Sequence, residues 1–290
     1  MVFKKIIIYS AILMVTFLFA LVAFVAYSSS SRIDKTFDIS DNSFPIPTSP
    51  SEIIEGKRLY ISRGCIDCHG SDLSGVVFVD DPAIGRYKGS NLTKGKNGVF
   101  EMMTPIDFEK AVRHGVGKQG RPLIFMPSTD FRYVSDEDLG RMYAYIHSAP
   151  SIDTESSQQK IGPLARFLFT IGKMPVLLSA EQIDHERKST TSIKPEISVE
   201  YGKYIATTCT GCHGDTLVGG PIQGAPPEWP PAQDITGKAI GKWTEREFLT
   251  AIKTGVRPDG SMIKPPMPWQ NFSKMTDVEL KALRLYLVSI

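Results

Sequence analysis

The chain opens with a long apolar run, and shorter segments with apolar residues at helical spacing follow it. Residues 6–27 form a run of 22 residues without a charged side chain, directly after Lys4 and Lys5. A helix of this length rises by about 33 Å, which is enough to cross a hydrocarbon core of about 30 Å. Flanking lysines stay on the cytoplasmic side, so residues 1–27 are predicted to be a single-pass anchor in the cytoplasmic membrane, with the remaining chain on the periplasmic side.

A secretion signal is the alternative interpretation of this segment. Signal peptides have an apolar core of about 7–15 residues and small residues at the cleavage site. Ala26-Tyr27-Ser28 has the composition of such a site. The observed run is longer than a signal core, which favours an uncleaved anchor, and both interpretations export the rest of the chain.

Two stretches lack a clear helical pattern. Residues 28–50 begin with four serines and contain three prolines, which is typical of a flexible linker. Residues 151–195 form a predicted connector, whose apolar part, residues 161–180, is too interrupted by prolines and charges to span a membrane. We expect that part to pack against one or both neighbouring domains; the alternative is an apolar patch that touches the membrane surface or a partner.

The remaining sequence is an internal duplication with an offset of roughly 141 residues. Each copy has three predicted helices, the last with apolar residues spaced by three and four positions. The predicted helix starts are Ser49, Thr104 and Ser135 in copy one and Ser198, Thr244 and Thr276 in copy two, and the middle helices end at Gly115 and Gly255. The sequence therefore predicts an all-α fold of two tandem domains, residues 51–150 and 196–290.

Composition narrows the classes of function. The chain of 290 residues is 42% hydrophobic, which is enough for two domains with their own cores. Its 33 basic and 31 acidic residues leave a net charge of +2. This balance gives no electrostatic support for a nucleic-acid partner.

All four cysteines lie in two copies of one short motif. Cys65-Ile66-Asp67-Cys68-His69 recurs as Cys209-Thr210-Gly211-Cys212-His213. Cys-x-x-Cys-His is the attachment site of c-type haem, in which two thiols add to the porphyrin vinyl groups and the histidine binds the iron. The sequence predicts two covalently bound haem c groups, attached at Cys65, Cys68, Cys209 and Cys212, with His69 and His213 as proximal iron ligands.

Three other cysteine chemistries fit the pattern less well. The two pairs are too far apart in the sequence for a compact zinc module. Four cysteines in 290 residues is a low density for a disulfide scaffold. A thioredoxin-type dithiol usually follows a strand, and neither motif is preceded by a β-branched run.

Met126 and Met267 are the candidates for the second axial ligand of each iron. Both precede proline, both lie about 55 residues beyond their motif histidine, and no other methionine keeps its place in both copies. A thioether ligand favours ferrous iron and raises the reduction potential. Methionine also fills cores, but two aligned Met-Pro pairs favour ligation. His114 is the alternative ligand in copy one, although its aligned residue Thr254 cannot bind iron in the same way; the other two histidines outside the motifs, His147 and His185, are expected at the surface.

These residues resemble the class I cytochrome c family, and most closely the dihaem and trihaem cytochrome c subunits of membrane-bound alcohol and gluconate dehydrogenases. The resemblance covers about residues 51–290. It rests on Asn91-Leu92-Thr93 and Asp234-Ile235-Thr236, on Arg113-His114-Gly115-Val116, on Ile240-Gly241-Lys242-Trp243-Thr244, on Thr254-Gly255-Val256-Arg257-Pro258-Asp259-Gly260 and on Met267-Pro268-Trp269. The resemblance implies small all-helical haem domains, methionine as sixth ligand and an Asn-Leu-Thr loop near the haem. The chain departs from the pattern in having two motifs where those subunits usually have three, in its amino-terminal apolar run and in having Phe100 in the region that corresponds to Trp243.

The predicted function is that of a membrane-tethered dihaem cytochrome c. It would carry single electrons between a dehydrogenase or quinol-oxidising complex and a terminal acceptor. Two six-coordinate irons leave no site for a substrate, so we expect an electron carrier and not a catalyst. The first alternative is a cytochrome subunit fixed within a dehydrogenase or oxidase complex. A dihaem peroxidase is less favoured, because it needs an iron that opens a coordination site.

Overall fold

The computed structural model describes residues 2–155, 159–187, 192–226 and 228–290, and most of its elements are helices. The helices are α1 (Val2–Ile33), α2 (Pro50–Ser62), α3 (Cys65–His69), α4 (Pro105–Glu109), α5 (Ser128–Phe131), α6 (Asp136–Ser148), α7 (Pro163–Thr170), α8 (Val199–Ala206), α9 (Thr210–His213), α10 (Gly237–Ile240), α11 (Glu245–Thr254), α12 (Trp269–Phe272) and α13 (Asp277–Val288). The strands are β1 (Val77–Asp81), β2 (Gly85–Lys88) and β3 (Lys160–Ile161). Short 3-10 turns cover Pro175–Leu177, Ser179–Gln182 and Thr207–Cys209, and one π turn covers Lys110–His114.

Each copy is built on a crossing of its first and last helices. In copy one α2 packs on α6, and a side chain at Gly56 would lie 2.0 Å from the carbonyl oxygen of Arg141. In copy two α8 packs on α13, and Gly202 has the same relation to the carbonyl oxygen of Ala282, at 2.0 Å. Glycine is therefore required at both crossings, and the two cores form around them. Fully buried members of these cores are Leu59, Tyr60 and Leu139 in copy one, and Ile205, Leu217 and Leu280 in copy two.

The predicted helix starts coincide with observed N-caps. Thr104 and Thr244 form capping boxes at the starts of α4 and α11, and Thr276 does so at α13. Gly115 and Gly255 end the middle helices in the left-handed region, with φ of 66° and 74°. Capping was predictable because it depends on residues three positions apart.

The all-α prediction is incomplete, because copy one also contains strands. β1 and β2 form an antiparallel hairpin, and β3 from the connector pairs with β2 to complete a three-stranded sheet. The hairpin has β-branched and aromatic residues around a turn that contains Pro82, which is a strand signal. The described part of copy two has no named strand.

The prediction of a flexible linker over residues 28–50 does not match the structure. α1 continues to Ile33, beyond the apolar run, and Ser29 is buried. The extended residues that follow pack against copy one: Ile39 lies in a small cluster with Val116, and Phe44 is part of the core of copy one. Serine and proline composition resembled a linker, but these few apolar residues find partners in a neighbouring domain.

A third apolar cluster joins the end of α1, the hairpin and α7, and we call it the collar. Ile33 contributes from α1, Tyr87 from β2, and Ala165 and Phe169 from α7. α1 is long and apolar enough to cross a membrane, and none of its most apolar window is buried. By length and composition it is a membrane anchor or a signal sequence. The boundaries of the proposed domains remain predictions, and residues 156–158 and 188–191 of the connector lie outside the described residues.

Candidate haem sites

The two Cys-x-x-Cys-His motifs lie on the short helices α3 and α9. Gly64 precedes α3 with a left-handed φ of 80°, which separates α3 from α2. In copy two, a 3-10 turn links α8 to α9 without such a break. Cys65, Cys68 and Cys209 are partly buried, Cys212 is exposed, and all four are free thiols.

Both motif histidines are oriented by a backbone carbonyl. The Nδ1 atom of His69 lies 2.9 Å from the carbonyl oxygen of Ser90, and the Nδ1 atom of His213 lies 2.7 Å from that of Gln233. Each Nδ1–H therefore donates a hydrogen bond, which leaves Nε2 with its lone pair available to a metal. Burial lowers the pKa of His69 and of His213, which keeps both imidazoles neutral, as iron ligation requires.

The accepting carbonyls were missed at the sequence level, although their position carries a signal. Ser90 and Gln233 directly precede the aligned Asn-Leu-Thr and Asp-Ile-Thr triplets. In each triplet the Asn91 or Asp234 side chain accepts a hydrogen bond from the backbone N–H two residues on, at 2.9 Å and 2.8 Å. This turn fixes the loop, so the triplets explain where the carbonyls lie.

Met126 and Met267 each pack against the core of their own copy. The same two cores are contacted by Cys65 and Cys209, so each methionine and the first cysteine of its motif meet one apolar cluster. Each copy thus has two thiols for attachment to a porphyrin, and one neutral imidazole with a free Nε2 and one thioether as candidate iron ligands, at the edge of an apolar core. This set fits covalently attached haem c.

The glycines that end the middle helices position the methionine loops. A side chain at Gly255 would lie 2.6 Å from the Trp269 ring, two residues after Met267. In copy one the aligned contact is between Gly115 and Ser128, at 3.3 Å. The Met126 loop has an additional support, because the carbonyl oxygen of Met126 accepts a hydrogen bond of 2.6 Å from the hydroxyl of Ser179 in the connector.

His114 contacts other side chains through both ring nitrogens. Its Nδ1 atom lies 2.9 Å from Nδ1 of His185, and its Nε2 atom lies 3.6 Å from the carboxylate of the buried Glu109. These contacts favour Met126 over His114 as the ligand. His185 was expected at the surface but is partly buried, because Nε2 donates to the carbonyl oxygen of Ala180 where the connector packs on copy one. His147 is exposed, as expected, and stacks on Tyr143.

The thiols do not have the properties of a redox dithiol. Burial raises the pKa of Cys65 to about 12, of Cys68 to about 11 and of Cys209 to about 12. Redox-active Cys-x-x-Cys pairs instead have a thiol with a lowered pKa. Among the described residues, no three His, Cys, Asp or Glu side chains converge on a point that could hold a metal ion.

The two motifs meet the opposite copy in a reciprocal way. Asp67, inside the first motif, accepts hydrogen bonds of 2.8 Å from Asn271 on α12. Gly211, the corresponding residue of the second motif, lies against Asp130 on α5, where a side chain would be 2.2 Å from the carboxylate. Asp130 and Asn271 are themselves aligned, four residues after their methionines. Each motif therefore packs on the short helix that follows the methionine of the other copy.

A second pair of contacts repeats this reciprocity. Arg58 on α2 binds both carboxylate oxygens of Glu279 on α13, at 2.7 Å and 2.9 Å. Tyr204 on α8, aligned with Arg58, donates a hydrogen bond of 2.6 Å to Asp138 on α6, which is aligned with Glu279. The interface between the copies thus has approximate twofold symmetry.

Arg63 lies in this interface without a counterpart in copy two. Its side chain is 3% exposed and contacts Asp138 at 3.2 Å. It also donates a hydrogen bond of 3.1 Å to Thr208 and lies over the Tyr204 ring. Arg63 is two residues before Cys65, and Thr208 is the neighbour of Cys209. The buried Arg63 guanidinium therefore links the segments that directly precede both attachment motifs.

Comparison with known proteins agrees with this geometry. The sequence matches the cytochrome c family over residues 53–150 and 199–290. The cytochrome c subunit of a quinone alcohol dehydrogenase from Gluconacetobacter polyoxogenes is 27% identical over 275 residues, which cover 84% of this chain and 57% of that subunit. A nicotinate dehydrogenase subunit of Pseudomonas putida is 24% identical over 83% of this chain and 22% of its own length. The gluconate 2-dehydrogenase cytochrome c subunit of Pantoea cypripedii is 38% identical over 95 residues, or 31% of this chain and 21% of its own.

These relatives are longer proteins, and the chain spans less than two thirds of the length of each. The family match covers more than half of the chain and falls on both copies. It supports covalent attachment of haem c, and it confirms the resemblance seen in the sequence. The chain belongs to the cytochrome c family.

Proposed function

We propose that the chain is a membrane-anchored dihaem cytochrome c that passes single electrons from a dehydrogenase towards a terminal acceptor. The observation that carries this proposal is the repeated donor set, with two cysteines, a carbonyl-oriented histidine and an aligned methionine at the edge of each core. When bound, haem c supplies the one-electron couple. The chain's residues attach it through Cys65 and Cys68 in copy one and through Cys209 and Cys212 in copy two.

In this proposal the side chains that would hold the irons are those of His69 and Met126 in copy one and of His213 and Met267 in copy two. The Ser90 and Gln233 carbonyls hold the histidine rings in one orientation, which favours a stable coordination geometry in both oxidation states. The reciprocal interface keeps the two motifs in a fixed relation. A fixed relation favours transfer between the two groups within one chain.

The dehydrogenase partner is proposed from the relatives, which are named as subunits of alcohol, nicotinate, fructose and gluconate dehydrogenases. A quinol-oxidising complex would be an alternative electron donor in place of the dehydrogenase, and a terminal oxidase would be an electron acceptor. A cytochrome subunit fixed within such a complex is the second candidate, and the names of the relatives favour it. Extraction in mild detergent followed by a wash in high salt separates a fixed subunit, which copurifies with its dehydrogenase, from a free carrier.

Covalent attachment is tested directly on the purified chain. Denatured protein should retain two haems per chain, measured by absorbance in alkaline pyridine and by haem staining after electrophoresis. The variant with Cys65→Ala and Cys68→Ala should retain one haem, and so should the matched variant with Cys209→Ala and Cys212→Ala. Haem that is removed by acidic organic solvent would contradict the proposal.

A further inference from the structure

We propose that α7 lies at the membrane surface with its outward apolar stripe in the lipid interface, as a second membrane contact beside α1. This inference rests on the proposed anchoring by α1. The occupant to which we assign this stripe is the lipid of the same membrane. The stripe consists of Leu164, Phe167 and Ile171, in and directly after α7.

The stripe is apolar, and its three residues are among the exposed large hydrophobic residues of the described part of the chain. Leu164 is 43% exposed, Phe167 is 38% exposed and Ile171 is 51% exposed. At about 100° per residue, these three positions fall within an arc of about 60° on one side of the helix. Ala165 and Phe169 lie on the other side and are buried in the collar. α7 therefore has two apolar faces, and the fold covers only one.

Polar contacts fix α7 beside the last turns of α1. Arg166 of α7 donates hydrogen bonds to the hydroxyls of Ser29 and Ser30, at 2.8 Å and 3.2 Å. Arg32 of α1 lies 3.6 Å above the Phe169 ring and donates a hydrogen bond of 3.1 Å to the Phe169 carbonyl. Arg32 also pairs with Glu181, which follows α7 in the connector. These contacts set the position of α7 along the axis of α1.

That position corresponds to the lipid interface. The apolar run of α1 ends at Tyr27, and the contacted residues 29–32 lie about 3–8 Å further along the helix at about 1.5 Å per residue. The interfacial layer of a bilayer adds about 5–8 Å to each side of the hydrocarbon core. A helix that lies in this layer buries its apolar face by about 5–10 Å. The position of α7 along the axis of α1 and the exposure of its apolar stripe therefore both fit a helix that lies in the interfacial layer.

In the proposed arrangement, the lipid-facing surface of α1 ends just before the residues that α7 contacts. Phe24 and Tyr27, in the last turns of the apolar run of α1, are 61% and 76% exposed. The charged groups nearest the stripe lie off its centre: Arg166 is engaged with α1, and Lys173 follows the stripe at its exposed end. Lys173 is placed where an interfacial helix meets phosphate headgroups.

A similar stripe on α13 provides an internal control. Val278, Leu285 and Val288 are 37%, 41% and 37% exposed, and they also fall along one side of a helix. They lie at the far end of the chain in copy two, and α13 makes its main contacts with α8, α10 and α11 rather than with α1. The two stripes match in residue type and exposure but differ in their relation to the anchor.

The experiment uses the full chain in lipid nanodiscs and a lipid-soluble diazirine that labels hydrocarbon-facing side chains on illumination. Mass spectrometry of the digested protein should find label on α1 and on the α7 stripe. We expect the α7 stripe to carry several-fold more label than the α13 stripe. The variant with Phe167→Ser and Ile171→Ser should lose most of the label on Leu164 while α1 keeps its own, and Val278→Ser with Leu285→Ser should change neither.

The outcomes separate this proposal from the one on which it rests. A chain that does not elute with the nanodiscs, or whose α1 takes no label, overturns the anchor and the α7 contact together. Label on α1 with no excess on α7 over α13 overturns the α7 contact alone and leaves the anchor in place. Because the nanodisc contains only this chain, label on the α7 stripe reports contact with lipid and not with another protein.

Discussion

The two copies share the elements that hold the proposed haems but differ in what surrounds them. Copy one carries the β1–β2 hairpin, the contact with the end of α1 and the support of the connector, as in the hydrogen bond from Ser179 to Met126. Both methionine carbonyls accept a hydrogen bond from the backbone N–H two residues further on, from Ser128 at 2.8 Å and from Trp269 at 2.9 Å, so the Ser179 bond is an addition in copy one. The common elements are those that position donor atoms, and the additions lie towards the anchor.

One aligned ion pair shows the same difference in chemical detail. In copy one Arg113 is 2% exposed and binds Asp136 at 2.7 Å, the carboxylate of Glu109 at 3.3 Å and the carbonyl oxygen of Val134. In copy two the aligned residues are Lys253 and Asp277, which pair at the surface. A buried arginine with several partners needs surrounding structure that copy two does not supply. The aligned ion pair is therefore more enclosed in copy one than in copy two, although both copies contain the Cys-x-x-Cys-His motif and the Met-Pro pair.

The largest expected effect is the loss of an axial ligand in one copy only. Met126→Leu should abolish the weak near-infrared sulfur-to-iron band of one haem, lower the potential of that haem and open its iron to carbon monoxide. Met267→Leu should do the same for the other haem. The structural cost should stay below about 1.5 kcal/mol, because Leu and Met have similar volumes. Magnetic circular dichroism and carbon monoxide titration of both variants measure these changes.

Two results would change the functional conclusion. A near-infrared band that keeps its full native intensity in both single variants would show that neither methionine is a ligand. Native protein that already binds carbon monoxide at one haem would favour the peroxidase alternative over the carrier.

The second prediction concerns Arg63, the buried cation in the interface between the copies, which has no counterpart in copy two. Arg63→Met should lower the potentials of both haems, because a buried positive charge near both motifs favours the reduced form, and this contribution is lost with the guanidinium. Breaking a buried ion pair costs up to about 3–5 kcal/mol in stability, and Asp138 retains Tyr204 and Arg141 as partners. Spectroelectrochemical titration measures the potentials, and urea unfolding measures the stability.

Two variants separate charge from packing at this position. Arg63→Lys keeps the charge, so it should restore most of the potential shift even if stability stays low. Arg58→Met removes another interface arginine, one that pairs with Glu55 and Glu279, and it should shift the potentials less. Equal shifts for Arg58→Met and Arg63→Met would contradict a special role of Arg63.

The third prediction tests the reciprocity of the interface. Gly211→Ala should destabilise the chain by about 1–3 kcal/mol, because the new methyl group would overlap the Asp130 carboxylate. Asp130→Ala in the same chain should recover most of that loss. Asp67→Ala, at the aligned position, removes an exposed hydrogen bond and should cost less than about 1 kcal/mol. Thermal unfolding of these variants gives the comparison, and the absence of recovery in the double variant would argue against the contact between Gly211 and Asp130.

The smallest expected effect is the pH dependence contributed by His185, where the connector packs on copy one. Burial is the largest cause that lowers the pKa of His185, and the neighbouring His114 and Lys35 lower this pKa further. Asp184 and the hydrogen bond to the Ala180 carbonyl raise it. In the unfolded chain histidine has a pKa of about 6.5. The unfolded state therefore binds the proton more readily than the folded state. The contribution of His185 to the stability of the folded state is complete above about pH 6.5, and it is lost as the pH falls towards the lower pKa of the folded state.

Melting temperatures between pH 7.5 and pH 5 measure this effect. The decrease on acidification should be smaller in His185→Gln than in the native chain. The control is His147→Gln, at an exposed histidine of copy one, and its decrease on acidification is compared with that of His185→Gln. An identical slope in His185→Gln and the native chain would contradict the prediction.

Much of the site was predictable because its chemistry depends on close spacing. The two motifs and the capping pairs are each defined within a few residues, and the Met-Pro pairs recur at the same place in both copies, so all of them are visible in the sequence. The Ser90 and Gln233 acceptors are backbone carbonyls, which no residue type marks. The hairpin was missed because its strands are short and the third strand comes from the connector, about 70 residues further on. The interface was missed because Asp67, Asn271 and Glu279 are ordinary surface residue types, and only the folded arrangement pairs them.

The reciprocal interface also bears on the origin of the chain. Contacts in which residue i of one unit meets residue j of the other, and the reverse, are those of a symmetric homodimer. A duplicated gene whose products already associated in this way would give the present arrangement after fusion, with the second unit held at a high effective concentration by the linking segment. Once joined, the two halves no longer had to be identical. The Asp67–Asn271 and Gly211–Asp130 contacts are two different solutions at one aligned position of the duplication.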